Sequence, residues 1–435
     1  MEDCKIWKGL CPDYVKKCKM RREKTMGKSV WRGEVGMNRL FRYFYVSDLI
    51  AVVGASISYI AIYWTCAQLL SPAAVSLVIG AVFVIRFISS SLVGPWIDRI
   101  EPVRLLKATV LIRCFLLVAV WYLLTQTDAQ LVPLLFLLAV QTFLQVIGGN
   151  TAFKVVTRIV VSEQLPVANA YLSTLDRVGT LAGLLAGGLL ITGFSITVIL
   201  GMEAVLHLLA WCLLFPLRSG EKTTDKPKWN YWVDLREGLT YLTRDTRLIR
   251  ILVFGILANW MITPVNALLA PFAKDVIRGG ANTFSLLELA LVIGGIGMSL
   301  IYAKLADRLD LMQMFYLSMV LQGGFTLLIG LTTTLPFAFS GMLLLGMALS
   351  LFGIPFSTLL QQTTPDALLG RIRSAMVAAS TFSSALFFGL SAYLTTVFAI
   401  DTVFLFFSGS GLLILLLLRL QRKTPAVEVR RDEVG

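Results

Sequence analysis

The sequence is short of the residues that build metal sites. It has one His and six Cys in 435 residues. Cys4, Cys11 and Cys18 recur every seven residues in a basic leader, while Cys66, Cys114 and Cys212 fall in apolar stretches. None of these spacings matches a zinc site or a secreted disulfide framework, so the thiols read as reduced tail residues and small core residues. A nucleotide engine is also missing. Gly27, Lys28 and Ser29 look like the end of a phosphate-binding loop, but Arg22 stands where its first Gly should be. No signal peptide is expected, because the first apolar run is too long and follows a long basic leader. Charge is scarce at 15%, and acidic residues are outnumbered, 26 against 39 basic, for a net charge of +13. The basic residues are spread over many connections without a recognition motif, which argues against a nucleic-acid partner.

What the chain has in quantity is apolar length. Twelve stretches of about 20 residues, each enough to cross a hydrocarbon core of roughly 30 Å, follow one another. They lie near 44–69, 73–95, 105–125, 130–149, 169–192, 196–216, 248–272, 285–303, 312–331, 335–357, 374–397 and 402–418. Inside lipid the backbone finds no water to bond, so the expected fold class is an all-α membrane protein of twelve transmembrane helices.

The basic residues fall in alternate connections. Twelve lie in residues 1–42, eight between Arg218 and Arg250, and five between Arg419 and Arg431. The connections after helices 2, 4, 8 and 10 hold Arg99, Arg104 and Lys107, then Lys154 and Arg158, then Lys304 and Arg308, then Arg371 and Arg373. Those on the other side hold only Lys274 and Arg278. The positive-inside rule then makes the protein multi-pass, with both termini and the long central connection cytoplasmic.

A polar break divides the helices six and six. The expected organisation is a basic cytoplasmic tail at 1–39, a six-helix bundle at 40–217, a linker at 218–247, a second bundle at 248–420 and a tail at 421–435. In the linker, Trp232, Leu235, Leu239 and Leu242 are spaced three and four apart, as on a helix lying on the membrane surface. A shared local pattern relates the halves: Gly94, Asp98 and Arg99 follow helix 2, and Asp307 and Arg308 follow helix 8. Parallel repeats of this kind are a carrier signature, with substrate bound near the midplane between them.

With these motifs the chain resembles the major facilitator superfamily and, within it, the third drug-proton antiporter subfamily, which includes macrolide and siderophore exporters. The resemblance covers about residues 38–420 and rests on several motifs. These are Gly94, Asp98, Arg99 and Arg104; Glu163, Gln164, Leu165, Ala168 and Asn169; Gly183, Gly187 and Gly188; Asp234, Glu237, Gly238, Tyr241 and Leu242; and Gln362, Pro365, Gly370 and Arg371. It departs from the family pattern where Gly183 is followed by Leu184 rather than Pro, and where Thr151 replaces a Pro between helices 4 and 5.

The resemblance implies the major facilitator fold of two six-helix bundles and a carrier rather than an enzyme. The expected work is efflux of an amphipathic small molecule from the cell membrane, as an antiporter of the multidrug-resistance type. It would need no cofactor beyond the proton gradient, with small molecule, protons and bilayer as partners and a monomer as the working unit. A facilitator or a lipid flippase on the same fold is the alternative; a membrane sensor that transports nothing is a remote one. The Gly94 motif and its repeat at Asp307 and Arg308 are expected to hold the cytoplasmic side closed, Gly94 permitting close helix approach while Asp98, Arg99 and Arg104 make polar contacts.

An ionisable side chain at the bilayer centre costs about 3 kcal/mol on insertion scales, so each needs a partner or a wet cavity. Asp48, Arg86, Asp176 and Arg177 lie on helices that surround the cavity in the resembled fold and are the candidates for proton coupling. Arg113, Glu203 and His207 lie on supporting helices and read as a structural charge cluster. Asn259, Thr263 and Asn266, spaced four and three around Pro264, form the expected polar stripe of the substrate cavity.

Overall fold

The computed structural model describes residues 39–97, 100–126, 131–160, 165–217, 240–241, 243, 245–306, 311–363 and 369–420. Twelve helices in it are long and apolar enough to cross a membrane. In chain order they are α1 (Arg39–Leu69), α2 (Pro72–Ile97), α3 (Pro102–Gln126), α4 (Leu131–Ile159), α5 (Leu165–Gly193), α6 (Ile196–Leu213), α7 (Thr246–Pro271), α8 (Ala281–Ala306), α9 (Leu311–Gly330), α10 (Leu335–Thr363), α11 (Leu369–Val397) and α12 (Ile400–Leu420). Each expected apolar stretch coincides with one of them.

The ends follow local chemistry. Pro72 and Pro102 occupy first helical positions, where the missing N–H costs no bond. Ser195 caps α6 by accepting from the Val198 N–H, and Asp245 caps α7 by accepting from the Arg247 N–H. Glu101, buried ahead of α3, accepts from the Arg104 N–H at 2.7 Å and pairs with Arg158 of α4 at 3.0 Å. Helix α4 runs ten residues beyond the apolar stretch expected to end at 149, and that pair gives its last turn a charged partner. Helix α7 carries Pro264 and continues through a π turn at Phe272–Val276. The surface helix expected around Trp232 lies outside the described residues, as do both tails.

Within the first half, α1 packs on α5 and α6, α3 on α4 and α6, and α2 on α4. In the second, α8 and α9 pack on α10, α9 on α12, and α7 on α11 and α12. Small residues set the closest approaches, as expected where no water drives association. A Cβ on Gly183 of α5 would lie 2.5 Å from the Ser56 Cβ and 2.7 Å from the Val53 carbonyl, and one on Gly187 would lie 2.9 Å from the Ile57 carbonyl.

The halves meet mainly along two pairs of helices, α2 with α11 and α5 with α8, with smaller contacts of α7 with α1 and α2 and of α8 with α1. Their seal lies on the side away from the termini. There the Lys274 ammonium donates to the Ala67 carbonyl at 2.7 Å, and the Ser285 hydroxyl donates to the Leu184 carbonyl at 2.6 Å. The Ser76 and Ser391 hydroxyls are 3.4 Å apart, and the Phe83 and Phe388 rings 4.7 Å. One apolar core is common to both halves, joining Ile60, Trp64 and Ile79 to Phe284, Leu287 and Phe388.

Candidate functional site: a charged cavity between the halves

Beneath this seal lies a cavity of about 370 Å³, lined chiefly by α1 to α5 and closed on the opposite wall by Glu288 and Val292 of α8. The period of α1 turns Ala55, Ser56, Tyr59, Ile62 and Tyr63 to one side, so the helix presents two phenol groups and a hydroxyl to the space. Arg86 enters from α2, Arg113 from α3, Gln141, Thr142 and Gln145 from α4, and Thr180 from α5.

The polar groups form two sets. On the α8 side, the Tyr59 hydroxyl donates to Oε1 of Glu288 at 3.1 Å, a bond between halves. The Tyr59 and Tyr63 rings lie 4.5 Å apart, and Tyr63 is within electrostatic reach of both Arg86 and Glu288. The Arg86 guanidinium lies 5.3 Å from the Phe83 ring centre, a cation–π distance. Among the described residues neither Arg86 nor Glu288 has an oppositely charged side chain within ion-pair distance.

The second set lies deeper in the first half. Arg113 interacts electrostatically with Glu203 of α6 and, less strongly, with Asp48 of α1. Glu203 is 1% exposed and His207 is fully buried. The Gln141 amide donates to Oε1 of Glu203 at 3.3 Å, and His207 Nδ1 donates to the Glu203 carbonyl at 3.1 Å. Oε2 of Glu203, Nε2 of His207 and Nε of Arg113 are buried without a hydrogen-bond partner. Arg113 and Gln141 border both sets, linking the cavity to the buried carboxylate.

The residues singled out in the sequence separate in space. Of Asp48, Arg86, Asp176 and Arg177, Arg86 alone lines the cavity. Asp48 and Asp176 interact with each other nearer the termini, and Asp176 is exposed. Arg177 reaches towards Gly295 of α8, where a Cβ would lie 3.9 Å from its guanidinium. Arg113, Glu203 and His207 come together as one cluster, but Arg113 also reaches the cavity. Asn259 donates to the Ser380 hydroxyl at 2.8 Å, and Thr263 donates to the Asn259 carbonyl at 2.7 Å. Neither they nor the exposed Asn266 line this cavity. Gly94 lies on the backbone of α2 and Arg104 in the first turn of α3, whereas Asp98, Arg99, Asp307 and Arg308 lie outside the described residues.

Sequence reasoning misses Glu288, because a carboxylate near a helix start has an ordinary reading as an interfacial acid. A signal is there: Glu288 is the only carboxylate in the apolar run of α8, seven residues after the helix begins. Tyr59 and Tyr63, one turn apart, read as core aromatics from sequence alone.

Twelve helices of spanning length in two halves, with a charged cavity between them, define a multi-pass membrane protein. The sequence profile of the Major Facilitator Superfamily matches residues 44–388, and the chain belongs to that superfamily. Its fold is similar to that of the nucleoside transporter NupG, with a TM-score of 0.69 and 13% identity over 89% of this chain and 100% of that one. It is also similar to a bacterial metal transporter (TM-score 0.64, 16% identity, 89% of this chain and 100% of that one). A third is a POT family transporter crystallised with 5-aminolevulinic acid (TM-score 0.67, 15% identity, 89% and 96%). No curated protein matches the sequence.

Proposed function

We propose that the chain is a secondary active carrier that exports an amphipathic small molecule from the cell in exchange for protons, by alternating access. In this reading both termini are cytoplasmic, the cell membrane is the site of action, the monomer is the working unit, and the proton gradient is the only energy source. The carrying observation is the Tyr59–Glu288 hydrogen bond. It puts an ionisable carboxylate inside the cavity and makes it one of the ties between the halves.

A proton taken up by Glu288 removes the charge that makes the carboxylate a strong acceptor, and charge-assisted bonds are roughly twice as strong as neutral ones. Protonation therefore loosens one tie of the seal and biases the carrier towards its other state, as any ligand does that binds two states unequally. Proteins of similar fold include nucleoside and metal transporters, so the fold leaves the substrate open. A cavity of about 370 Å³ is near the lower end of the usual range for ligand pockets and favours a compact molecule over a lipid.

The test is flux in proteoliposomes with and without a pH gradient, across a compound panel. Uphill export driven by the gradient is expected, and Glu288→Gln should lose it even at substrate concentrations high enough that downhill exchange is still measurable. Flux indifferent to the gradient in the native protein makes the chain a facilitator. That second reading has an observation behind it: Leu184 follows Gly183 on α5 where antiporters of this superfamily often carry Pro.

A further inference from the structure

The cavity holds two opposite charges that do not neutralise each other. Arg86 comes from α2 in the first half and Glu288 from α8 in the second. Neither makes an ion pair among the described residues. The described contact of the Arg86 head is the face of Phe83, and the one hydrogen bond to Glu288 comes from a neutral phenol. The third charge, Arg113, likewise makes no ion pair among the described residues, but it interacts electrostatically with Glu203 and, less strongly, with Asp48, so two carboxylates of the first half already act on it. Arg86 is exposed and Glu288 half-buried, so both charged heads are open to the cavity and available to a partner that enters it.

A ligand with one charge pairs with one of these groups and leaves the other without a countercharge. A ligand with an acidic group and a basic nitrogen pairs with both. The space between is suited to a short polar or aromatic body: Tyr63 is in reach of both charged groups, and Gln141, Gln145 and Thr142 offer amides and a hydroxyl along the α4 wall.

We infer that the transported molecule is a compact amphoteric compound, its carboxylate or phosphate held by Arg86 and its basic nitrogen by Glu288 in place of the Tyr59 hydroxyl. This rests on the carrier reading above and narrows its substrate class. Because the nitrogen replaces the Tyr59 hydroxyl on Glu288, a bound substrate breaks the same tie that a proton weakens. One carboxylate then serves proton or substrate in turn, which is what exchange requires.

The experiment uses the purified full-length chain in lipid nanodiscs and reads its thermal stability against a panel of small metabolites grouped by charge. Sets with one scaffold are included, such as phenylalanine, phenethylamine and 3-phenylpropionate. The expected result is that stabilising compounds come from the amphoteric group. Arg86→Gln and Glu288→Gln should each weaken their binding at least about tenfold, as loss of a charge-assisted contact implies. Arg86→Lys and Glu288→Asp, which keep the charge, should restore part of it and guard against misfolding as the cause. The inference is overturned by stabilisers that carry a single charge or none, by no stabilisation from any amphoteric member at millimolar concentration, or by binding unchanged in the neutral variants. Amphoteric binding without flux in proteoliposomes would instead overturn the carrier reading and leave the site.

Discussion

Gly294 of α8 and Gly346 of α10 lie where the two helices touch backbone to backbone. A Cβ on Gly294 would strike the Leu343 carbonyl oxygen, and one on Gly346 would strike that of Leu291. Rigid backbone stands on both sides, so neither helix can yield by turning a side chain. Gly294→Ala is therefore expected to lower stability by about 1–3 kcal/mol, as overpacking does. Gly297→Ala, three residues on and facing open space, should be neutral or slightly stabilising, since Ala is the better helix former. Thermal melts of the two variants in the same detergent check this; equal melting temperatures would mean that the crossing is looser than described.

The seal between the halves has a similar tight point. Gly188 of α5 is so close to Ser285 of α8 that a Cβ would overlap the serine side chain, whose hydroxyl holds the Leu184 carbonyl one turn away. Gly188→Leu is expected to wedge α5 from α8 and open the cavity towards the face opposite the termini. On a Cys-free background, Tyr63→Cys should then react several-fold faster with an impermeant thiol reagent on whole cells. Labelling that stays as slow as in the Gly188 parent would show that the wedge is absorbed within one half.

Orientation rests on the distribution of Lys and Arg. Single cysteines replacing Thr127 and Thr334 should label from outside the cell, and one replacing Asp225 only after the membrane is permeabilised. The reverse pattern would turn the carrier over and make the sealed side cytoplasmic.

Much of the fold was legible because lipid leaves the chain little choice: an apolar run of spanning length must satisfy its backbone as a helix, so twelve runs gave twelve helices. Helix ends were less legible where polar residues continue a helix beyond the hydrocarbon, as in α4, whose last turn pairs Arg158 with a Glu101 far off in sequence. The cavity was read only in part. Arg86 could be picked out because a charge in an apolar helix demands a reason. Glu288 could not be told from an interfacial acid without knowing that α8 turns it towards Tyr59, 229 residues earlier. The polar stripe of α7 shows the converse. Spacing suggested a cavity-facing stripe of Asn259, Thr263 and Asn266, but the bonds of Asn259 and Thr263 run within α7 and to Ser380 of α11, which sequence periodicity does not carry.

Glu203 separates a structural charge from a working one. Its carboxylate is buried with one hydrogen bond, from Gln141, and its main electrostatic partner is Arg113. Glu203→Gln keeps the shape and a carbonyl to accept from Gln141 but leaves the guanidinium without its chief countercharge. Breaking a contacting buried pair on one side costs about 3–5 kcal/mol; Glu203 and Arg113 interact electrostatically without an ion-pair contact, so a smaller but clear drop in melting temperature is expected. The double variant Glu203→Gln with Arg113→Gln should recover part of that loss, because the guanidinium that lost its chief countercharge is removed as well; recovery is incomplete because Asp48 loses the attraction of Arg113. Transport by whatever fraction stays folded should still respond to the pH gradient, since Glu288 is untouched. Normal stability in Glu203→Gln, combined with loss of only the gradient response, would move the proton from Glu288 to helix α6 and give the Arg113–Gln141 link to the cavity a role in conducting it.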